Sequence, residues 1–317
     1  MLNDKNNSLN AKSSKRFWSW LFNDNNLYSH LSDGQKNELD KFRVTVFILL
    51  HFACLSVLFT GVSWFALLLA VSLYFARMFF ITAFYHRFFS HRSYKTSRPV
   101  QFLMAVAGCT TGQRGPLWWA SHHREHHITS DTENDPHSPK NGLLNSHCLW
   151  FLRKGNFNSD DKRIKDLTKY KELLILEKID WIPFLLLFIA CYFLGDYLAV
   201  HYPALNTNGF QTLVWGGFIS TTVLYHATYL INSLAHLYGK RRFETKDDSR
   251  NNIWLALLTL GEGWHNNHHR YPASTRQGFY PGEIDISYLL LKCFAAVGLV
   301  KDFNFVPAHI LEEGKRS

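Results

Sequence analysis

The chain has 317 residues and a formal net charge of +9, and 47% of its residues are hydrophobic. Those apolar residues are gathered into blocks, not spread as in a soluble enzyme, and the basic residues flank the blocks without forming an isolated basic domain. This excludes a nucleic-acid binder and points to anionic lipid headgroups. Five cysteines, Cys54, Cys109, Cys148, Cys191 and Cys293, show no CxxC spacing and read as reduced packing residues.

Residues 1–40 are polar, rich in Asn, Ser and Lys, and lack the apolar core of a secretory signal. They read as a cytoplasmic tail whose first ~30 residues are disordered. A single domain is predicted for 41–317.

Its first two apolar runs, about 43–60 and 64–85, are separated by Gly61-Val62-Ser63, and two more, about 181–200 and 211–231, are joined by a connection containing Tyr202-Pro203. Each can cross a hydrocarbon core of about 30 Å at about 1.5 Å per residue, the first only narrowly. Residues 44–76 hold no Lys or Arg, and apart from Arg43 at the outer edge of the first run every Lys and Arg lies outside these runs and their turns except Arg77, which is expected to snorkel to the interface. The positive-inside rule then puts both termini and the regions 86–180 and 232–317 in the cytoplasm. The predicted fold is an all-α membrane protein, with four transmembrane helices in two hairpins under a cytoplasmic helical cap.

Within the cap, 100–119 is apolar but interrupted by Gly108, Gly112 and Pro116, and reads as an interfacial helix. Residues 155–178, with Ile164, Leu167, Leu173, Leu174 and Leu176 at roughly helical spacing, read as an amphipathic scaffold helix. The remainder holds a charged loop from Lys240 to Asn252, a short apolar helix over 253–262 and a C-terminal amphipathic region. No internal repeat is visible.

Three clusters hold nine of the seventeen histidines: His86-Arg-Phe-Phe-Ser-His91, His122-His123-Arg-Glu-His126-His127 and His265-Asn-Asn-His268-His269. Neutral imidazole is the commonest metal ligand. On a helix His123 shares a face with His126 and His127, which project about 100° apart and suit two neighbouring metals. The spacing recurs at His265, His268 and His269. His86 and His91 would diverge by about 140° on an uninterrupted α-helix, so that pair is expected to straddle a helix end. Asn232 and His236, spaced i, i+4, add a further polar pair. His30, His51, His137, His147, His201, His226 and His309 stand alone and read as packing or surface residues.

These motifs, with Asp135-Pro-His137, Asn232-Ser-Leu-Ala-His236 and Gly261-Glu-Gly-Trp-His-Asn-Asn-His-His-Arg-Tyr-Pro272, resemble the membrane fatty acid desaturases, in particular the group of animal stearoyl-CoA desaturases and bacterial acyl desaturases. The match runs from about Phe75 to Tyr280. Carried over by position, the resemblance implies His86, His91, His123, His126, His127, His236, His265, His268 and His269 as ligands of two iron ions, with Asn232 reaching them through water and His122 left out. It implies dioxygen as co-substrate, removal of two hydrogens from adjacent chain carbons, most simply at the ninth, and two electrons from outside. Zinc, having no redox chemistry, could not serve. No GxGxxG fingerprint and no haem-binding extension is present, so a separate ferredoxin or cytochrome b5-like donor with its reductase is implied. The resemblance also implies a substrate tunnel shaped by Gln113, Trp119 and Thr228, closed near the Ala70/Tyr74/Met78 face. An Arg-Asp pair that holds coenzyme A in the animal enzymes corresponds here to Ser121-His122, leaving acyl-CoA and acyl-lipid both open. If the source is bacterial, the inner membrane is implied.

Carboxylates that accept the other imidazole N–H should orient the ligands, and Glu125, Asp131, Asp135, Asp248 and Glu262 are near enough in sequence. The rival readings are a histidine-box hydroxylase or ketolase, a membrane zinc hydrolase needing only three or four ligands, and a metal- or haem-binding receptor needing one or two per site.

Overall fold

The computed structural model describes residues 17–316, which are mostly helical. The only strand pairing among them is a two-residue antiparallel ladder, Lys95–Thr96 against Val300–Lys301.

Helix α1 spans Lys41–Thr60. Asp40 starts it by accepting the backbone N–H groups of Phe42 and Arg43, and Gly61, at φ +63°, ends it. Ser63 then caps α2, Trp64–Ser90. Helices α3 (Arg98–Cys109) and α4 (Pro116–Thr129) follow. The interfacial stretch predicted as one helix is thus two, because Gly112 (φ +71°) and Arg114 (φ +68°) turn the chain between them.

Residues 155–178 are also not one helix. Only short turns and α5 (Lys171–Lys178) form there, burying Ile164, Leu167, Leu173 and Leu176 while Leu174 stays exposed. Helix α6 is Trp181–His201. Helix α7 winds without a break over 209–233, and α8 (Ile253–Leu258), α9 (His265–Arg270), α10 (Ile286–Ala296) and α11 (Ala308–Arg316) complete the chain.

Among the described residues three helices, α1, α2 and α6, are long and apolar enough to cross a membrane. Their outer side chains, Leu58, Phe59 and Trp64 among them, are exposed, as lipid contact requires. Helix α7 falls short in apolarity because Ser220, Thr221 and neighbouring hydroxyls serve an interior purpose. Arg77 of α2 is 1% exposed and donates to Thr221 Oγ1 and Ser220 Oγ, both at 2.7 Å, and to the Leu73 carbonyl. It does not snorkel, because α7 satisfies it inside.

Of the tail predicted to be disordered, residues 1–16 lie outside the described residues. From 17 onward the chain is tied down: Asn23 donates to the Glu177 carbonyl, Trp181 Nε1 to the Leu21 carbonyl, and Tyr28 to Asp40. All five cysteines are unpaired.

Candidate metal centre and acyl cavity

Helix α2 delivers the first histidines in an unusual winding. Residues Phe80–Ser90 form a π-helix, and the His91 N–H donates to the His86 carbonyl at 3.2 Å. An i→i+5 turn brings His91 back over His86, so the two rings stand 4.8 Å apart despite the divergence an α-helix would impose.

Helix α4 delivers the next three. It begins with Pro116, whose missing N–H costs nothing at that position, and the Glu177 carboxylate accepts the following N–H groups of Leu117 (2.9 Å) and Trp118 (3.0 Å). Burial beside Asp180 pushes the Glu177 carboxyl up to about 7. His236 comes from the turn after α7, and the six-residue α9 supplies His265, His268 and His269.

These nine side chains form two groups. His86, His91, His123, His127 and His268 bring one ring nitrogen each within 4.8 Å of one another, and so do His126, His236, His265 and His269. Both α4 and α9 contribute to each group, since adjacent positions project about 100° apart. His122 is excluded and packs on Trp118 and Trp150.

The nitrogens fit a cation better than they fit hydrogen bonds. His123 Nε2 lies 2.8 Å from His91 Nε2 and 3.0 Å from His127 Nε2, while His268 Nε2 lies 3.0 Å from His86 Nε2 and 2.9 Å from His127 Nε2. Ligands about 2.1 Å from a common ion and at right angles stand about 3.0 Å apart. Burial, reinforced by neighbouring imidazoles, holds His91, His123, His127, His265, His268 and His269 well below the usual imidazole range, which keeps them neutral. An all-imidazole set suits iron, copper, nickel or zinc.

Carboxylates fix the ring orientation. Glu262 meets His86 Nδ1 at 2.5 Å, Asp135 meets His126 Nδ1 at 3.1 Å, Asp131 meets His236 Nδ1 at 2.8 Å and Asp247 meets His269 Nδ1 at 2.7 Å. With Nδ1–H donated outward, each Nε2 presents its lone pair inward. Burial works against these carboxylates, yet hydrogen bonds and the facing histidines hold Asp131, Asp135, Asp247 and Glu262 below the ordinary range.

Two carboxylates expected to do this do not. Glu125 pairs with Arg163 at 3.2 Å, and Asp248 pairs with Lys140 at 2.8 Å. Asp247, which does, is not among the sequence candidates, and Arg87, which the first motif contains without an assigned role, is clamped between Glu262 and Asp285. Asn266 and Asn267 stand inside the third motif, where the sequence assigns them no role. Asn266 accepts the N–H groups of Arg242 and Phe243, and Asn267 donates to Glu283, so both lock α9 in place. Three histidines read as isolated are linked: His51 Nε2 lies 3.0 Å from His226 Nε2, and His226 Nδ1 lies 2.9 Å from His147 Nε2. His137, also read as isolated, lies against His126 with the ring centroids 4.3 Å apart.

A cavity of about 230 Å³ runs up to the histidines, its walls including Gln113, Trp119, His123, Thr228 and Asn232. A smaller one of about 50 Å³ shares Trp119, His123, Thr228 and Asn232 and adds Met78, Ile81, Thr82 and Thr259. Gln113 Nε2 donates to Thr228 Oγ1 at 3.0 Å at this junction. Tyr74 lines neither cavity; its hydroxyl donates to the Leu258 carbonyl at 2.7 Å.

Comparison with known proteins agrees with these features. The family described as fatty acid desaturase matches residues 62–277. A delta-9 acyl-lipid desaturase of Arabidopsis thaliana is 35% identical over 83% of this chain and 83% of its own length. An acyl-CoA 5-desaturase of Anemone leveillei is 35% identical over 86% of this chain and 82% of its own. An sn-1 stearoyl-lipid 9-desaturase of Anabaena variabilis is 31% identical over 85% and 95%.

Proposed function

We propose that this chain, which belongs to the fatty acid desaturase family and is therefore an oxidoreductase of lipid metabolism, introduces a cis double bond at the ninth carbon of a saturated acyl chain carried on a lipid or on coenzyme A. The observation that carries this reading is the pair of imidazole groups set against two adjoining cavities that share Trp119, His123, Thr228 and Asn232. One iron would be held by His86, His91, His123, His127 and His268, the other by His126, His236, His265 and His269, with Asn232 acting through water. The chemistry such a pair supplies is the reduction of dioxygen, which no redox-inert ion can drive.

The protein's own side chains set the terms of that chemistry. Asp131, Asp135, Asp247 and Glu262 hold the Nδ1 protons outward and so keep the ligands oriented. The Gln113 to Thr228 hydrogen bond and the Trp119 ring stand where the two cavities adjoin, so a chain occupying both would bend at that point. Met78 would close the far end.

In this reading residues 41–317 form one domain in which α7 is the fourth span, since its hydroxyls face Arg77 and not lipid. Both termini and the metal centre lie on the cytoplasmic side, that of the inner membrane in a bacterium. A separate ferredoxin or cytochrome b5-like protein with its reductase supplies the electrons, and the basic cap suits an acidic carrier.

The test is expression in a host that lacks unsaturated fatty acids, with chromatography of its lipids and location of the double bond. A new cis monoene that disappears in His268→Ala is the expected result. Hydroxylated chains would overturn it in favour of oxygen insertion.

A further inference from the structure

The part of the larger cavity's wall that the small one does not share includes groups that have no use for an acyl chain. Arg43, at the start of α1, is 9% exposed, and its Nη1 is buried without a hydrogen-bond partner. Among the described residues no carboxylate pairs with its guanidinium. The neighbouring Asp40 is occupied by the Tyr28 hydroxyl (2.5 Å) and by the N–H groups of Phe42 and Arg43. The indole N–H groups of Trp20 and Trp150 and the His122 Nε2 are likewise buried and unpartnered, and all four residues line this cavity. The only other charged residue in its wall is Arg114, already paired with Asp180, and no carboxylate lines it.

A buried guanidinium that has the Phe157 ring beside it but no anion is costly, and two indoles offer donors only, so the complement of this wall is an anion rich in acceptors. The same cavity continues to Gln113, Trp119 and Thr228, so that anion must sit close to the acyl chain along the molecule that carries both. In coenzyme A the pantetheine arm with its two amides separates phosphate from thioester. In a phosphoglycerolipid only the glycerol backbone separates phosphodiester from acyl ester, and the ester carbonyl adds a further acceptor.

We infer that Arg43, Trp20, Trp150 and His122 form a headgroup site for the phosphodiester of an anionic phosphoglycerolipid, which makes that lipid the acyl carrier. This rests on the desaturase reading for the identity of the chain, but its own evidence is the donor set. Arg43 supplies the charge that recognises the phosphate, at the depth where headgroups meet the hydrocarbon. The indoles supply neutral donors that hold it once it is desolvated.

The test is equilibrium binding to the full-length protein in neutral detergent, using pyrene-labelled phosphatidylglycerol as the probe. Unlabelled distearoyl phosphatidylglycerol, uncharged monogalactosyldiacylglycerol, stearoyl-CoA and stearate are the competitors. The expected result is displacement by phosphatidylglycerol at least about tenfold more effective than by the galactolipid, a preference lost in Arg43→Gln and kept in Arg43→Lys. Trp150→Phe, which removes one donor and keeps an aromatic ring, should weaken phosphatidylglycerol several-fold even if Arg43→Gln fails to fold. Equal displacement by the galactolipid, stronger displacement by stearoyl-CoA or stearate, or an unchanged preference in Arg43→Gln would overturn the inference. Binding is read without turnover, so a phospholipid preference with no new double bond in cells would sink the desaturase reading alone.

Discussion

The backbone N–H of His91 donates to the carbonyl of His86, five residues back. That one hydrogen bond returns a side chain that α-helical geometry would send about 140° away. The consequence is a group of five imidazoles beside a group of four. Removing His91 leaves four nitrogens in its group, whereas removing His236 leaves three in the other. Purified His236→Ala should therefore retain about one metal per chain and His91→Ala close to two, measured by elemental analysis after desalting. Equal losses would show that the two groups do not hold separate ions.

The neighbours Asp247 and Asp248 offer a second test, because only the first touches a histidine of the two groups. Asp247→Asn should weaken metal retention against a chelator by about ten- to a hundredfold, by loosening His269. Asp248→Asn, which breaks an exposed pair with Lys140, should leave it unchanged.

That contrast marks where the sequence stops being readable. The histidines could be grouped because each box is local, and a spacing of three or four residues on a helix is a geometric statement. Which of two adjacent aspartates faces a ring more than twenty residues away is decided by the loop from Lys240 to Asn252, which has no periodicity to read. His51, His147 and His226 looked isolated for the same reason, as they meet only when α1, α7 and the segment after Gly142 pack together. Four apolar runs were visible as gaps in the charge pattern. Arg77 was misplaced because its partners, Ser220 and Thr221, lie over 140 residues downstream.

Glu177 caps the helix that carries the second histidine box. Glu177→Ala strands the buried N–H groups of Leu117 and Trp118 and should lower stability by about 1–3 kcal/mol in a detergent melt. Its carboxyl also has a pH signature. Folding raises its pKa from 4.5 to about 7, so the folded state holds an extra proton between those values. The stability this proton contributes is present below about pH 4.5 and is lost as pH rises through about 7. Glu177→Gln, which cannot ionise, should flatten that part of the wild-type slope.

Met78 and Tyr74 lie one helical turn apart on α2, but only Met78 lines the small cavity. Met78→Trp should fill it and shift the products toward shorter acyl chains. Tyr74→Phe, which loses only the bond to the Leu258 carbonyl, should leave the chain-length profile as it is. Gas chromatography of total fatty esters from cells expressing each variant distinguishes the two.

The buried Arg77 separates the cost of a charge from the cost of stranding it. Arg77→Met keeps most of the volume and removes a guanidinium that no carboxylate neutralises, leaving Ser220 its second bond to the Ala70 carbonyl. Replacing a buried charge by an apolar side chain of similar size is often neutral, so the melting point should move little. Thr221→Val is the opposite case. It keeps the shape, but it strands Nη1 of a side chain that is 1% exposed, and losing a hydrogen bond to a charged group costs about 1.5–3 kcal/mol. Thr221→Val should therefore destabilise more than Arg77→Met, and the double variant should recover most of the loss, because without the guanidinium the hydroxyl has no charge to satisfy. A double variant no better than Thr221→Val would mean that Arg77 holds α2 and α7 together by more than these two hydroxyl contacts.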